Sequence, residues 1–404
     1  MPPPPDRMPA APRLGRNVLV LAAVSLLTDA SSEIIYPLLP IFLTTVLGAG
    51  AAAVGAIEGA AETTSALLKL ASGWWSDRVS RRKPLVVAGY SLASIARPLV
   101  AVAQSATHVL LIRLTDRVGK GIRGAPRDAL IAESVDPSIR GRAFGFHRSA
   151  DHAGAVIGPL IAFALLQWWH VGLRSVFLLA AIPGLLSVVV LVLGVRETAR
   201  DVAPVTPPTG PRPPLRGVAL GRQFWTFLAS VFLFTLGNST DAFLILRANQ
   251  LGVSVALVPV LWAALHVVKS AASIPGGALS DRIGRKPLIV AGWALYALVY
   301  FAFGRATVAW HVWALFLTYG VFFGLTEGTE RAMVADLVGR QRRGTAFGWY
   351  NLAIGIGALP ASLLFGLIWE RVSPTAAFDV GAVLAVLASV LLLVAVRASG
   401  PAEA

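Results

Sequence analysis

The chain has 404 residues, 56% of them hydrophobic and only 14% charged, with a net charge of +14 and no cysteine. Soluble domains carry about 25% charged residues, so this composition leaves too few charges to cover a surface in water, and a mean hydropathy of +0.70 points to lipid as the solvent. The absence of cysteine excludes both a disulfide framework and a thiolate metal site.

Residues 1–17, rich in proline, read as a cytoplasmic tail. The apolar run that follows is long and leads into further runs, which marks a first membrane helix rather than a cleaved leader. Apolar stretches occupy 18–46, 52–73, 84–104, 107–134, 143–167, 173–195, 224–247, 256–279, 287–304, 309–337, 345–369 and 375–396. Each is near the ~20 residues that cross a bilayer. The expected fold is an all-α membrane protein. One bundle covers 18–195 and a second covers 224–396, with a tail at 397–404. Between them, 196–223 is a proline-rich linker, extended because proline fixes φ and lacks an amide donor.

Alternate loops differ in charge. One set holds Arg13 and Arg16; Arg78, Arg81, Arg82 and Lys83; Arg140 and Arg142; Arg196 to Arg222; Arg282, Arg285 and Lys286; Arg340, Arg342 and Arg343; and Arg397. The other set carries only isolated cations such as Arg174, Arg305 and Arg371. Basic loops stay in the cytoplasm. Both termini and the linker are therefore expected inside, in a bacterial-type inner (plasma) membrane. This alternation explains the positive charge without a nucleic-acid partner.

The halves repeat. SDRVSRRKPLVVAGY from Ser76 returns as SDRIGRKPLIVAGW from Ser280, and RGRAFGFHRSA from Arg140 returns as RGTAFGWYNLA from Arg343. Two matches in register at the same helix junctions indicate duplication of a six-helix unit, an arrangement that places a substrate site between the halves near the midplane.

Taken in chain order, the first helix carries Asp29 and Glu33, one turn apart, before Tyr36-Pro37-Leu-Leu-Pro40. At 1.5 Å per residue Asp29 lies about 16 Å into the span, near the midplane. A carboxylate at that depth either takes a proton or finds a cation, so Asp29 and Glu33, with Asp151 on the fifth helix, are candidate proton carriers or members of ion pairs. The loop after the second helix runs from Gly73 through Asp77 and Arg78 to Arg82, and its copy runs from Gly277 through Asp281 and Arg282 to Arg285 and Lys286. Glycine gives the backbone freedom of a tight turn, and the aspartate can accept hydrogen bonds at a helix end or pair with arginine.

The fourth helix carries Arg113, Asp116, Arg117, Lys120, Arg123 and Arg127 within an arc of about 120° at 100° per residue. Such a stripe cannot face lipid. Acids nearby in this half can neutralise it internally, or it can hold an anion on arginine's planar fork. Arg117 lies at about the depth of Asp29, so the two are expected to form a coupling pair. In the fifth helix Gly154 and Gly158 permit close helix approach, and Pro159 bends the chain. Tyr36, Asp241 and His266 are expected to line the cavity with Arg117, Lys120 and Arg123. In the repeat register Glu330 and Arg331 oppose Arg127 and Asp128 with the charges swapped, which suggests a lock between the halves.

These loops resemble those of the major facilitator superfamily. Gly73 to Arg82 follows the family pattern G-x-x-x-D-R-x-G-R-R, with Ser80 replacing the second glycine; the copy from Gly277 is complete. The resemblance covers nearly the whole chain. It implies twelve transmembrane helices in two pseudo-symmetric six-helix bundles, alternating access, and a gating role for both loops. Arg117, Lys120 and Gly121 match the family's R-x-x-Q-G, with lysine for glutamine. Gly154, Gly158 and Pro159 resemble the G-x-x-x-G-P-x-x-G motif of exporting antiporters, with Ala162 replacing the last glycine. An acid followed by Pro-Leu-Leu-Pro resembles the first helix of drug:proton antiporters.

The expected function is proton-coupled efflux of a small molecule. The alternative, motivated by the fourth helix, is proton-coupled uptake of an organic anion. A non-transporting receptor or scaffold would not need two gate loops. An enzyme is not expected, since no nucleotide loop, Ser/His/Asp set or metal cluster stands out. No cofactor or metal is implied. The partners are a small-molecule substrate, protons and lipid, and a monomer is expected.

Overall fold

The computed structural model describes residues 14–76, 79, 81–135, 140–197, 220–338 and 343–396. They form rods that we number α1 (Arg16–Val46), α2 (Ala51–Ser76), α3 (Lys83–Val102), α4 (Ala106–Glu133), α5 (Arg140–Gln167), α6 (Leu173–Gly194), α7 (Arg222–Gln250), α8 (Val258–Ile283), α9 (Arg285–Arg305), α10 (Ala309–Asp336), α11 (Arg343–Arg371) and α12 (Pro374–Ala395). Their ends lie within a few residues of the expected apolar stretches.

Among the described residues, ten rods are long and apolar enough to cross a membrane; α2 and α4 fall short. The reason is their charge: Glu58, Glu62 and Lys69 on α2, and the basic stripe on α4. The two pack along each other, so polar groups that neither could present to lipid meet inside the protein.

Among the described residues, four rods are interrupted near a proline or glycine, and in α6 the break is at Ala180, ahead of Pro183. Regular helix in α1 ends at Ile35 and continues irregularly through Pro37 and Pro40. The last turns of α3, Arg97–Val102, tighten around Pro98. The rod α7 divides after Gly237 and resumes at Ala242, which leaves Asp241 at the N-terminal cap of the second piece.

Packing repeats between the halves. In the first, α1 lies on α5 and α6, α2 on α4, and α3 on α4 and α6; in the second, α7 lies on α11 and α12, α8 on α10, and α9 on α10 and α12. The halves meet where α2 runs along α11 and α5 along α8. Side chains repeat as well. Arg82 Nη1 pairs with Glu133 at 2.5 Å, and in the same register Arg285 Nε pairs with Asp336 at 3.3 Å. Lys83 Nζ donates to the Val192 and Val195 carbonyls at the end of α6, and Lys286 Nζ to those of Leu393 and Val396 at the end of α12. A lysine thus satisfies the orphan carbonyls of the last helix of each half.

One part of the duplication has diverged. In the first half Arg97, Arg113, Asp116 and Glu58 form a buried ionic network. The corresponding positions are Tyr300, Phe316, Tyr319 and Trp262, and the second half builds an aromatic core there.

The seam between α2 and α11 is close at the end away from the linker. A Cβ placed on Gly55 would come 2.2 Å from the Ser362 carbonyl oxygen, and one on Gly59 2.7 Å from Leu359 Cα. The seam continues to mid-helix, where Ala66 meets Gly355 and Thr63 Oγ1 donates to the Gly355 carbonyl at 2.6 Å. Toward the linker end Leu67, Lys69 and Trp75 of α2 and Trp349 of α11 are exposed. The halves are closed at the far end and part toward the linker end.

Candidate functional site

The face of α1 that carries Asp29 and Glu33 is held by α5. A Cβ on Gly154 would lie 2.4 Å from the Leu26 carbonyl oxygen and 3.0 Å from Asp29 Cβ; one on Gly158 would lie 2.4 Å from the Ala30 carbonyl oxygen. Only glycine permits this approach. Pro159 follows within α5, and Ala162, in place of the motif's last glycine, is fully buried.

The three expected proton carriers have different surroundings. Asp151 is nearly buried; it accepts a short hydrogen bond from Ser25 Oγ, lies 3.3 Å from Arg148 Nη1, and is 3.7 Å from His147 Nδ1. Glu33 Oε2 accepts a hydrogen bond from Trp262 Nε1 of α8 at 2.8 Å. Tyr36 tilts against the same indole, with ring centroids 5.2 Å apart, and the His266 ring lies 5.1 Å from it. Asp29 is half-buried and forms no ion pair with any described residue. Lys120, Arg123 and Arg97 lie within its electrostatic reach.

The basic stripe of α4 is only partly neutralised. Arg113 is held bidentately by Glu58, at 3.0 and 2.6 Å, and lies 3.7 Å from Asp116. Asp116 also accepts from Arg97 Nε at 2.6 Å, while Arg97 Nη1 donates to the Thr28 carbonyl of α1. At the other end Arg127 pairs with its neighbour Asp128 at 2.9 Å. Between them, Arg117, Lys120 and Arg123 form no ion pair with a described residue. Arg117 Nε and Arg123 Nη1 are buried with no hydrogen-bond partner. Arg123 is not in the cleft: it is buried, with its guanidinium 4.2 Å over the Tyr90 ring of α3.

The expected pair of Asp29 and Arg117 is not formed. Residue counting matches their depth, but depth along a helix does not fix direction around it. Arg117 acts instead within the field of Glu62 on α2, which Lys120 shares. Arg97, by contrast, belongs to no motif and is missed by sequence reasoning. A lone arginine in an otherwise apolar span is itself a sign of a buried partner.

In the second half Asp241 accepts from Tyr319 OH at 2.7 Å, a negative group at a helix N-terminus. His266 keeps Nδ1 buried and unpartnered. Lys269, not singled out by sequence, sits 3.7 Å over the Phe323 ring and 3.9 Å from Glu327.

Of the gate residues, Asp77 and Arg78 lie outside the described residues, and at Gly73 and Asp281 only the helical backbone is described. Arg82 and Arg285 form the repeated pairs already noted. Gly284 has φ +92° and needs to be glycine for that turn. Gly277 is different: a Cβ there would meet nothing within 4 Å. Arg282 is exposed. The swapped charges at Arg127, Asp128, Glu330 and Arg331 do not bridge the halves. Glu330 accepts from Trp293 Nε1 at 2.9 Å and Tyr350 OH at 2.8 Å, and Arg331 pairs with Glu327 at 3.4 Å. Each set is satisfied within its own half, because the linker end is where the halves part.

Comparison with known proteins agrees with this architecture. The family description Major Facilitator Superfamily matches residues 21–269 and 242–404. The chain is 33% identical to an uncharacterized MFS-type transporter of Methanocaldococcus jannaschii over 94% of this chain and 95% of that protein. It is 25% identical to the multidrug resistance protein MdtH of Yersinia pestis, over 80% and 79%. Its fold matches a bacterial homologue of the human lysosomal transporter Spinster in an inward-facing, unoccupied conformation, with a TM-score of 0.71 at 19% identity and coverage of 94% and 95%. The chain belongs to the major facilitator superfamily, a family of integral membrane transporters.

Proposed function

We propose that the protein exports a small molecule in exchange for protons by alternating access, with Asp29 and Glu33 as the proton-carrying groups. The observation that carries this reading is the seating of Gly154 and Gly158 on α1 at Leu26, Asp29 and Ala30. The α5 motif that resembles those of exporting antiporters is thereby in direct contact with the acid-bearing turn. The likeness to a multidrug resistance protein supports the same direction.

In this reading the two bundles, 18–195 and 224–396, rock about the α2–α11 and α5–α8 seams. The linker and both termini face the cytoplasm, so the present conformation opens inward. Asp77, Asp281 and the Arg82–Glu133 and Arg285–Asp336 pairs govern closure at that end, and the protein works as a monomer. Uptake of an organic anion is the competing reading, favoured by Arg117 and Lys120; the acids on α1 and α2 that share their field weigh against an anion alone.

Purified protein in proteoliposomes, under an imposed pH gradient, tests this with a panel of metabolites and drugs. At least one compound should move against the proton flux. Movement only with the proton flux would overturn the direction.

A further inference from the structure

Opposite charges share one region of the first half without forming ion pairs. Asp29 and Glu33 lie on α1 and Glu62 on α2; Arg117 and Lys120 lie on α4. Lys120 is within the field of all three acids, and Arg117 within that of Glu33 and Glu62. None of these five forms an ion pair with a described residue, although opposite charges at mid-membrane depth attract strongly. Close packing fixes the helices that carry them. α1 is pinned by Gly154 and Gly158 of α5 against its backbone, and α4 is pinned where Gly121 meets Leu68 of α2, since a Cβ added to Gly121 would lie 2.5 Å from Leu68 Cβ. Arg117 also keeps a buried Nε without a partner, while Tyr36 and Trp262 set an aromatic platform beside Glu33.

We infer that the substrate is a small zwitterion. Its protonated amine is held by Asp29 and Glu33, its carboxylate or other anionic group by Arg117 and Lys120, and its apolar body by Tyr36 and Trp262. A single charge of either sign would satisfy one side and leave the other as it was, so only a ligand with both charges gains both charge-assisted contacts. The amine and the proton compete for the same carboxylates, which gives exchange. The anionic pole supplies affinity and selectivity, and Glu62 competes with it for Arg117 and Lys120.

This inference rests on the cleft being a transporter's substrate path, but its test needs no gradient. Calorimetric titration of purified protein in detergent would compare three matched probes at neutral pH: para-aminomethylbenzoate, benzylamine and benzoate. The zwitterion should bind at least about tenfold tighter than either singly charged probe, as one charge-assisted contact implies. Arg117→Gln together with Lys120→Gln should erase its advantage over benzylamine, and Arg117→Gln alone should reduce that advantage, since these two residues hold the anionic pole. Asp29→Asn with Glu33→Gln should erase its advantage over benzoate, and Glu62→Gln should tighten the zwitterion. If the zwitterion binds no better than both analogues, or none of the three binds, the inference fails, while proton-coupled export stands or falls on the pH-gradient assay. If the zwitterion wins but Arg117→Gln weakens all three alike, Arg117 is structural and the assignment of the anionic pole is wrong.

Discussion

Glu33 on α1 accepts a hydrogen bond from the indole of Trp262 on α8, 2.8 Å away, and this bond joins the two halves of the transporter. It lies on the closed side of the cleft, where Tyr36 leans on the same indole. A group proposed to carry protons is thus also a contact between the two halves.

That contact should bias the conformational equilibrium. A hydrogen bond to a charged group is worth about 1.5–3 kcal/mol, which is about tenfold or more in population. Trp262→Phe keeps the ring and removes the donor. It should shift the protein toward closure at the linker end. Spin labels on cysteines introduced at Trp75 and Trp349 report this, because the chain has no cysteine of its own. The label distance should shorten in Trp262→Phe; an unchanged distribution would show that the bond does not hold the halves.

The α1–α5 contact predicts a sharp contrast between glycines. Gly158→Ala drives a methyl to 2.4 Å from the Ala30 carbonyl, and overpacking of this kind costs about 1–3 kcal/mol. Its melting temperature in detergent should fall and its transport should drop. Gly277→Ala meets nothing within 4 Å in this conformation, so its melting temperature should match that of the parent. Equal melting of both variants would contradict the packing described here.

The ionic network of the first half should be costly to break and cheap to replace. Glu58→Gln removes the carboxylate that holds Arg113 at 3.0 and 2.6 Å and should destabilise the protein by about 3–5 kcal/mol. Replacing both residues, as Glu58→Leu with Arg113→Met, should recover most of that loss. The second half already runs without this pair, with Trp262 and Phe316 in the corresponding positions. Denaturation of the parent, Glu58→Leu, Arg113→Met and the double variant in a double-mutant cycle measures the coupling.

Ten spans are legible in the sequence because lipid demands long apolar runs, α2 and α4 are marked by charges that lipid would not accept, and the duplication is legible because the gate loops kept their register. Gly154 and Gly158 are legible as a packing motif, but not the helix they pack on. The charged stripe on α4 is readable as buried, yet its partners are not. Arg113 meets Glu58 and Asp116 meets Arg97 by direction around the helix, which residue counting does not give. Trp262 is invisible as a site residue because an indole in a membrane helix is ordinary until its neighbour is a carboxylate. The Lys83 and Lys286 caps are hidden among basic residues explained by topology alone.

Orientation is tested by labelling single cysteines at Ala203, Gly50 and Thr307 with a membrane-impermeant maleimide in intact cells. Gly50 and Thr307 connect rods at the end away from the linker, so both should label from outside and Ala203 should not. Labelling of Ala203 from outside would invert the protein and reverse the proposed direction.

The most direct test of proton-coupled export is uphill transport by Asp29→Asn in proteoliposomes with an imposed pH gradient. Asp29 is the acid on α1 with neither an ion pair nor an indole partner, so a neutral isostere there should leave the fold intact. Gradient-driven accumulation should be abolished, while exchange of labelled for unlabelled substrate without a gradient continues. If the variant still accumulates substrate with the parent's pH dependence, Asp29 does not carry the proton and the central claim is wrong.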